Sequence, residues 1–146
     1  SGMDKVELLF SSNKNKSPQP IDKTASGGEI SRVMLCLKYM LANSTSLPTL
    51  IFDEIDTGIS GEAADLTAKM LKKMSTNVQI ISISHLPQIA AKATTHYFVE
   101  KSGESETTVT QLTAEERVTA IARMLSGSTL SDAAIKNAQA LLSEDN

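Results

Sequence analysis

The stretch that most constrains this chain is Thr49 to Ile55, TLIFDEI, in which strand-forming apolar residues run directly into the adjacent carboxylates Asp53 and Glu54. Apolar side chains without alternation need cover on both sides, so the run predicts a strand buried on both faces of a parallel sheet. The two acids then leave its carboxyl end, where open α/β sheets place their ligand sites. Carboxylates at such a place call for a positive partner, and magnesium with nucleotide phosphates is the commonest one. A strand that simply ends in solvated acids has the same pattern.

The rest of the composition fits one α/β domain. A chain of 146 residues with 40% hydrophobic and 21% charged residues can bury a core. A net charge of -3 gives no general attraction to nucleic acid, so any DNA contact needs a local patch or another part of a larger molecule. The single cysteine, Cys36, allows no internal disulfide and falls within a helical apolar pattern, which predicts packing rather than chemistry. No apolar run approaches the roughly 20 residues that cross a bilayer, so no membrane partner is expected.

Val6 to Phe10 reads as a short strand, followed by a polar connector to Ala25 that holds Lys14, Lys16 and Lys23. A helix is expected from the Ser26-Gly27-Gly28 turn to Ala42, with Ile30, Val33, Met34, Leu37 and Leu41 on an apolar stripe that Tyr39 and Met40 widen until the helix is largely buried. Ser26 is a natural N-cap, and free amides with the positive end of the helix dipole suit an anion there. Asn43 to Pro48 reads as a turn into the Leu50 strand. After the acids comes the small-residue loop IDTGISG, then a helix from about Glu62 to Met74, capped by Ser60, with Ala63, Leu66, Thr67, Met70 and Met74 inward. Val78 to Ser84 is a second doubly buried strand candidate, and it delivers His85 at its end before a short helix through about Ala91.

Thr95 to Lys101 and Thr107 to Leu112 predict an antiparallel hairpin that turns at Ser102 to Ser105. Thr113 and Glu116 form a capping-box pattern ahead of a helix with Val118, Ile121, Ala122 and Leu125 inward, ended by Gly127. A last helix, Ser131 to Leu142, carries Ala134, Ile135, Ala138, Leu141 and Leu142 on one side.

An anion-binding turn, an acidic pair and a histidine therefore stand at strand or helix ends, in that order. Hydrolysis of a nucleotide γ-phosphate uses all three, because its catalysis is mostly positioning and charge stabilisation. Asp53 would hold Mg2+, usually through a water; Glu54 would polarise the attacking water; His85 would hydrogen-bond the γ-phosphate or that water.

The order ASGGE, LIFDE, DTGISG and ISH resembles the signature motif, Walker B, D-loop and switch histidine of ABC-type ATPases. The wording ASGGEISRVMLCLK, FDEIDTGISG, ISHLPQIA and IARMLSG resembles the RecN family within that superfamily, bacterial DNA-repair relatives of the SMC proteins. The resemblance implies the C-terminal lobe of a split P-loop NTPase head, α/β with a mostly parallel sheet, a C-terminal β-hairpin and two helices, all in one domain over 1–146. It implies a cytoplasmic, nucleoid-associated ATPase of double-strand-break repair, working with ATP and Mg2+. It also implies that Ser26, Gly27, Gly28 and Glu29 bind the ATP of a partner head in trans, in an ATP-dependent homodimer, with the D-loop residues Asp56, Thr57 and Gly58 near that interface.

No GxxxxGK[ST] phosphate loop is present. In the RecN family that loop lies in an N-terminal lobe beyond a long coiled coil, so the resemblance makes that lobe of the same full-length chain a required partner. It also makes the fragment inactive alone, with DNA met through the full-length protein. A non-catalytic dimerising or tethering head and another ABC-type ATPase, such as a transporter motor, are the alternatives. Intact Glu54 argues against the first, and the two-helix ending argues against the second.

Overall fold

The computed structural model describes residues 2–13, 15–42, 48–103, 106–127 and 129–143. At its centre β3 (Thr49–Asp53) and β4 (Gln79–Ile83) pair in parallel, with Ile51 opposite Ile81 and Asp53 opposite Ile83. Ahead of them β1 (Leu9–Phe10) and β2 (Gln19–Pro20) form a small antiparallel pair, followed by α1 (Ile21–Thr24) and α2 (Gly27–Ala42). The strand expected from Val6 is thus limited to its last two residues. Between the central strands runs α3 (Gly61–Met74). After β4 come α4 (Pro87–Lys92), the hairpin β5 (Tyr97–Ser102) and β6 (Glu106–Gln111), then α5 (Ala114–Ser126) and α6 (Asp132–Ser143). The expected hairpin and the two closing helices are present, while among the described residues parallel pairing is confined to β3 and β4. The expected turn before Pro48 and the tip of the hairpin lie outside the described residues.

The main core forms where Leu50 and Phe52 of β3 meet Ala68, Leu71 and Met74 of α3, with Leu35, Val78 and Ile89 closing it. Each large apolar side chain buried there contributes about 1.5 to 3 kcal/mol. A second cluster joins α4, α5 and α6 through Ala91, Ile121, Ala122, Ala134 and Ala138. Its small residues let the helices approach closely. Arg117 of α5 strengthens this join by donating to the carbonyls of Ala93 at 2.6 Å and Ala91 at 3.4 Å, which end α4. The capping box of α5 forms as expected: Thr113 Oγ1 accepts from the Glu116 amide, and Glu116 accepts from the Thr113 amide. Gly127, at φ 75°, ends the helix.

Five packing expectations change, one of them on α5, where Leu125 is exposed and Met124 packs against the second cluster instead. β3 and β4 are covered on one face only; on the other, Ile51, Ile81 and Ile83 are 60%, 45% and 55% exposed. Helix α2 is not largely buried: among its described side chains only Leu35 is, whereas Ile30, Met34, Met40 and Leu41 are exposed. Cys36, one residue and therefore about 100° further round the helix, is exposed rather than packed. The buried stripe of α3 is Ala64, Thr67, Ala68, Leu71 and Met74, and Leu66 and Ala63 point to solvent; the small Ala64 and Ala68 let α3 pack closely on its neighbours, chiefly α4. Ser60 precedes α3 without a side-chain cap hydrogen bond.

Candidate functional site

The turn that opens α2 is a capping box. Glu29 Oε2 accepts from the Ser26 amide at 2.8 Å and from Ser26 Oγ at 2.9 Å, and the Glu29 amide is 3.3 Å from Ser26 Oγ. These hydrogen bonds from Ser26, amide first, hold the Glu29 carboxyl below its ordinary value despite some desolvation. Glu29 thus shapes the turn. Gly27 faces open space, so a ligand can approach its backbone. Gly28 does not: a Cβ there would collide with the carbonyl oxygen of Thr57 and lie 3.2 Å from Arg32 Nη1. The second glycine is therefore needed for the turn to dock on the loop after β3.

At the end of β3 the backbone takes an unusual path. Glu54 has φ 51°, and is the only non-glycine residue with positive φ among the described residues. A left-handed L-residue costs about 1 to 2 kcal/mol. The conformation is held because the Glu54 amide continues the parallel ladder to Ile83 O at 3.2 Å. The Thr57 amide and hydroxyl both donate back to Glu54 O, at 3.2 and 3.0 Å. This bend turns Glu54 outward, while Asp53 shares the uncovered face of β3 with Ile51, and both acidic side chains are exposed.

The two segments share a cleft of about 510 Å³, lined on one side by Ser26, Gly27 and Gly28 and on the other by Asp53, Glu54 and Thr57. Arg32, which sequence reading passed over, also lines it; its Nη1 is buried without a hydrogen-bond partner. Helical spacing alone places Arg32 one turn beyond Gly28, and that was the available signal. No group of three or more potential metal ligands occurs among the described residues. The adjacent, exposed acids Asp53 and Glu54 could hold a cation that brings its own waters and phosphate oxygens, as Mg2+ does.

Asp56 is fully buried, whereas its loop neighbours Thr57 and Gly58 are exposed at the cleft. Its carboxylate is turned inward because three groups from the end of β4 converge on it. Ser84 Oγ donates to Oδ2 at 2.6 Å, the His85 amide donates at 2.9 Å, and His85 Nδ1 lies 3.1 Å from the same oxygen. Burial alone would raise this carboxyl, but the hydrogen bonds from Ser84, from the His85 amide and from Asp56's own amide outweigh it and hold it below the ordinary value. The His85 ring itself is 71% exposed and is not part of the cleft wall.

No family model matches the chain. Among solved structures it resembles an SMC ATPase from work on ATP-driven dimerization and DNA-stimulated activation, with a TM-score of 0.61, 21% identity, and coverage of 79% of this chain and 70% of that one. It also resembles the Smc head domain with coiled coil and joint from Pyrococcus yayanosii, with a TM-score of 0.63, 24% identity, and coverage of 73% and 20%. The fold is that of a lobe of an SMC-type ATPase head. In sequence the chain is RecN-like: it is 41% identical over 145 residues to DNA repair protein RecN of Haemophilus influenzae, 46% over 144 to that of Rickettsia bellii, and 45% over 144 to that of Treponema pallidum. Each match takes in 97% of this chain. The chain spans about a quarter of the length of these relatives, 26%, 26% and 25% respectively.

Proposed function

We propose that this chain is the C-terminal lobe of a split ATPase head in a RecN-like protein of DNA double-strand-break repair and recombination, and that the head hydrolyses ATP and pairs with a second copy as it does so. The observation that carries the reading is the cleft in which the open helix turn at Gly27 stands across from Asp53 and Glu54. A helix N-terminus attracts phosphate, while the acids need a cation and a water, so each wall presents one part of the chemistry that a metal-bound nucleotide needs, and in a head dimer the two walls serve different nucleotides. The names of the relatives, DNA repair proteins, supply the biological setting.

Asp53 would hold Mg2+ mainly through water, and the ion would neutralise charge developing on the phosphates. Glu54 accepts a proton from the attacking water as its oxygen bonds to the γ-phosphorus and the bond to the β-phosphate oxygen breaks, leaving ADP and inorganic phosphate. The bend at Glu54, pinned to Ile83 and Thr57, keeps the base aimed outward. Ser26, Gly27 and Gly28, with Glu29 shaping their turn, then bind the nucleotide of the partner head. ATP becomes the adhesive of a two-fold interface, with Thr57 and Gly58 at its edge.

The missing phosphate loop is supplied by the N-terminal lobe of the same full-length chain. The apolar face of Ile51, Ile81 and Ile83 supports this, since it is the side of the central strands left uncovered here. DNA is met through the full-length protein. No helix among the described residues is long and apolar enough to cross a membrane, and a cytoplasmic, nucleoid-associated place belongs to the same proposal.

Turnover of the reassembled head tests the reading. Glu54→Gln should lower it about a hundred- to ten-thousand-fold while ATP-dependent closure persists. An unchanged rate would remove Glu54 as the base.

A further inference from the structure

We infer that Ser84 is a positioning residue: its hydroxyl fastens the backbone that carries His85 to the buried carboxylate of Asp56, so that the loops after β3 and β4 keep one fixed spacing. The inference starts from a chain of hydrogen bonds at the end of β4. Ser84 Oγ donates to Asp56 Oδ2 at 2.6 Å and accepts from the Leu86 amide at 3.1 Å, while the His85 amide donates to the same carboxylate oxygen at 2.9 Å. Residues 84 to 86 are thereby tied, directly or through one hydroxyl, to a wholly buried side chain. Asp56 itself lies inside the bend that Thr57 closes on the carbonyl of Glu54. The parallel ladder ends where the Glu54 amide meets Ile83 O, and beyond that rung the tie between the two loops runs through Asp56.

Ser84 is the joint of this tie because it both donates and accepts. The other oxygen of Asp56, Oδ1, is buried without a partner, so the carboxylate has no second anchor. Removing the hydroxyl takes the shortest hydrogen bond from Oδ2 and leaves the Leu86 amide without its acceptor. The His85 side chain is mostly exposed, so little packing holds it and its place follows its backbone. This deepens the ATPase reading and rests on it for its meaning, since Glu54 and His85 are the residues whose spacing the tie sets. Ser84 does so without lining the cleft.

Two measurements test the inference. Amide hydrogen exchange in this chain should show His85 and Leu86 at least about tenfold slower than in an unstructured peptide. Ser84→Ala should release the Leu86 amide while the amides paired between β3 and β4 keep their protection. In the head reassembled with the phosphate-loop lobe, Ser84→Ala should lower kcat about ten- to a hundredfold and leave KM for ATP within about twofold. Ser84→Thr, which keeps the hydroxyl, should restore most of the loss. In a His85→Ala background, Ser84→Ala should cost no more than about twofold, because the two residues act as one unit. Unprotected His85 and Leu86 amides in the parent chain overturn the inference, and that result stands even where Ser84→Ala fails to fold. An unchanged kcat in Ser84→Ala, or an undiminished loss in the His85→Ala background, overturns it as well. A parent head that does not hydrolyse ATP would instead sink the ATPase reading, and the exchange measurement needs no nucleotide.

Discussion

Gly28 lies so close to the carbonyl oxygen of Thr57 that no side chain fits between them, whereas its neighbour Gly27 meets nothing within 4 Å. Two adjacent glycines of one motif thus have different physical reasons. Gly28→Ala should destabilise the chain by about 1 to 3 kcal/mol, the usual cost of overpacking. Gly27→Ala should leave the denaturant midpoint close to that of the parent and impair only ligand approach. Equal midpoints for the two variants would contradict the docking of the turn on the Thr57 loop.

Glu54 stands in a left-handed conformation that favours glycine. Equilibrium unfolding should therefore rank Glu54→Gly at least as stable as the parent and Glu54→Ile below it by about 1 to 2 kcal/mol, since a β-branched residue tolerates this region worst. Both variants lose the base. A Glu54→Ile variant as stable as the parent would mean that the bend relaxes in solution.

The two capping boxes make a pH prediction. Hydrogen bonds from Thr113, amide first, lower the Glu116 carboxyl below its ordinary 4.5, as those from Ser26 lower Glu29. Because the folded values are depressed, the stability they confer is present above 4.5 and is lost as pH falls through the folded values. Glu116→Gln keeps an acceptor without the charge, so its melting temperature should fall less steeply than the parent's below that range. A parallel pair of curves would show that the box does not couple to folding.

Mixing experiments separate a site completed in trans from one completed within a single head. Reassembled heads bearing a bulky residue at position 27 and heads bearing Glu54→Gln should each be nearly inactive. In an equal mixture, half the dimers carry one intact composite site, so about a quarter of the parent rate should return. No recovery would place the turn and the base of one chain on one nucleotide.

Much of this architecture was legible because it is written in local chemistry. TLIFD and QIISI are apolar runs of strand length, and the residues that follow them, Glu54 and His85, stand at neighbouring strand ends as read. The Thr113–Glu116 and Ser26–Glu29 boxes declare helix starts by spacing alone. Long-range packing was less legible. An unbroken apolar run signals cover on both faces but not whether the covering element is in the same chain, which is why Ile51, Ile81 and Ile83 are exposed here. Helix α3 misled through size: Leu66 looks like core, yet the small Ala64 and Ala68 set the contact. Cys36 shares the apolar pattern of a helix anchored in the core by Leu35. Asp56 was read with the loop it belongs to, and nothing local announced that Ser84 and His85, 28 and 29 residues on, would draw its carboxylate inside.

The central claim is that this lobe carries half of a nucleotide site. ATP binding measured by calorimetry, first on this chain alone and then with the N-terminal phosphate-loop lobe added, tests it most directly. The account predicts no binding by the lone chain, followed by binding and hydrolysis once the second lobe is present. Clear binding to the lone chain would contradict it, because the cleft between Gly27 and Glu54 would then be a complete phosphate site rather than one part of a shared one.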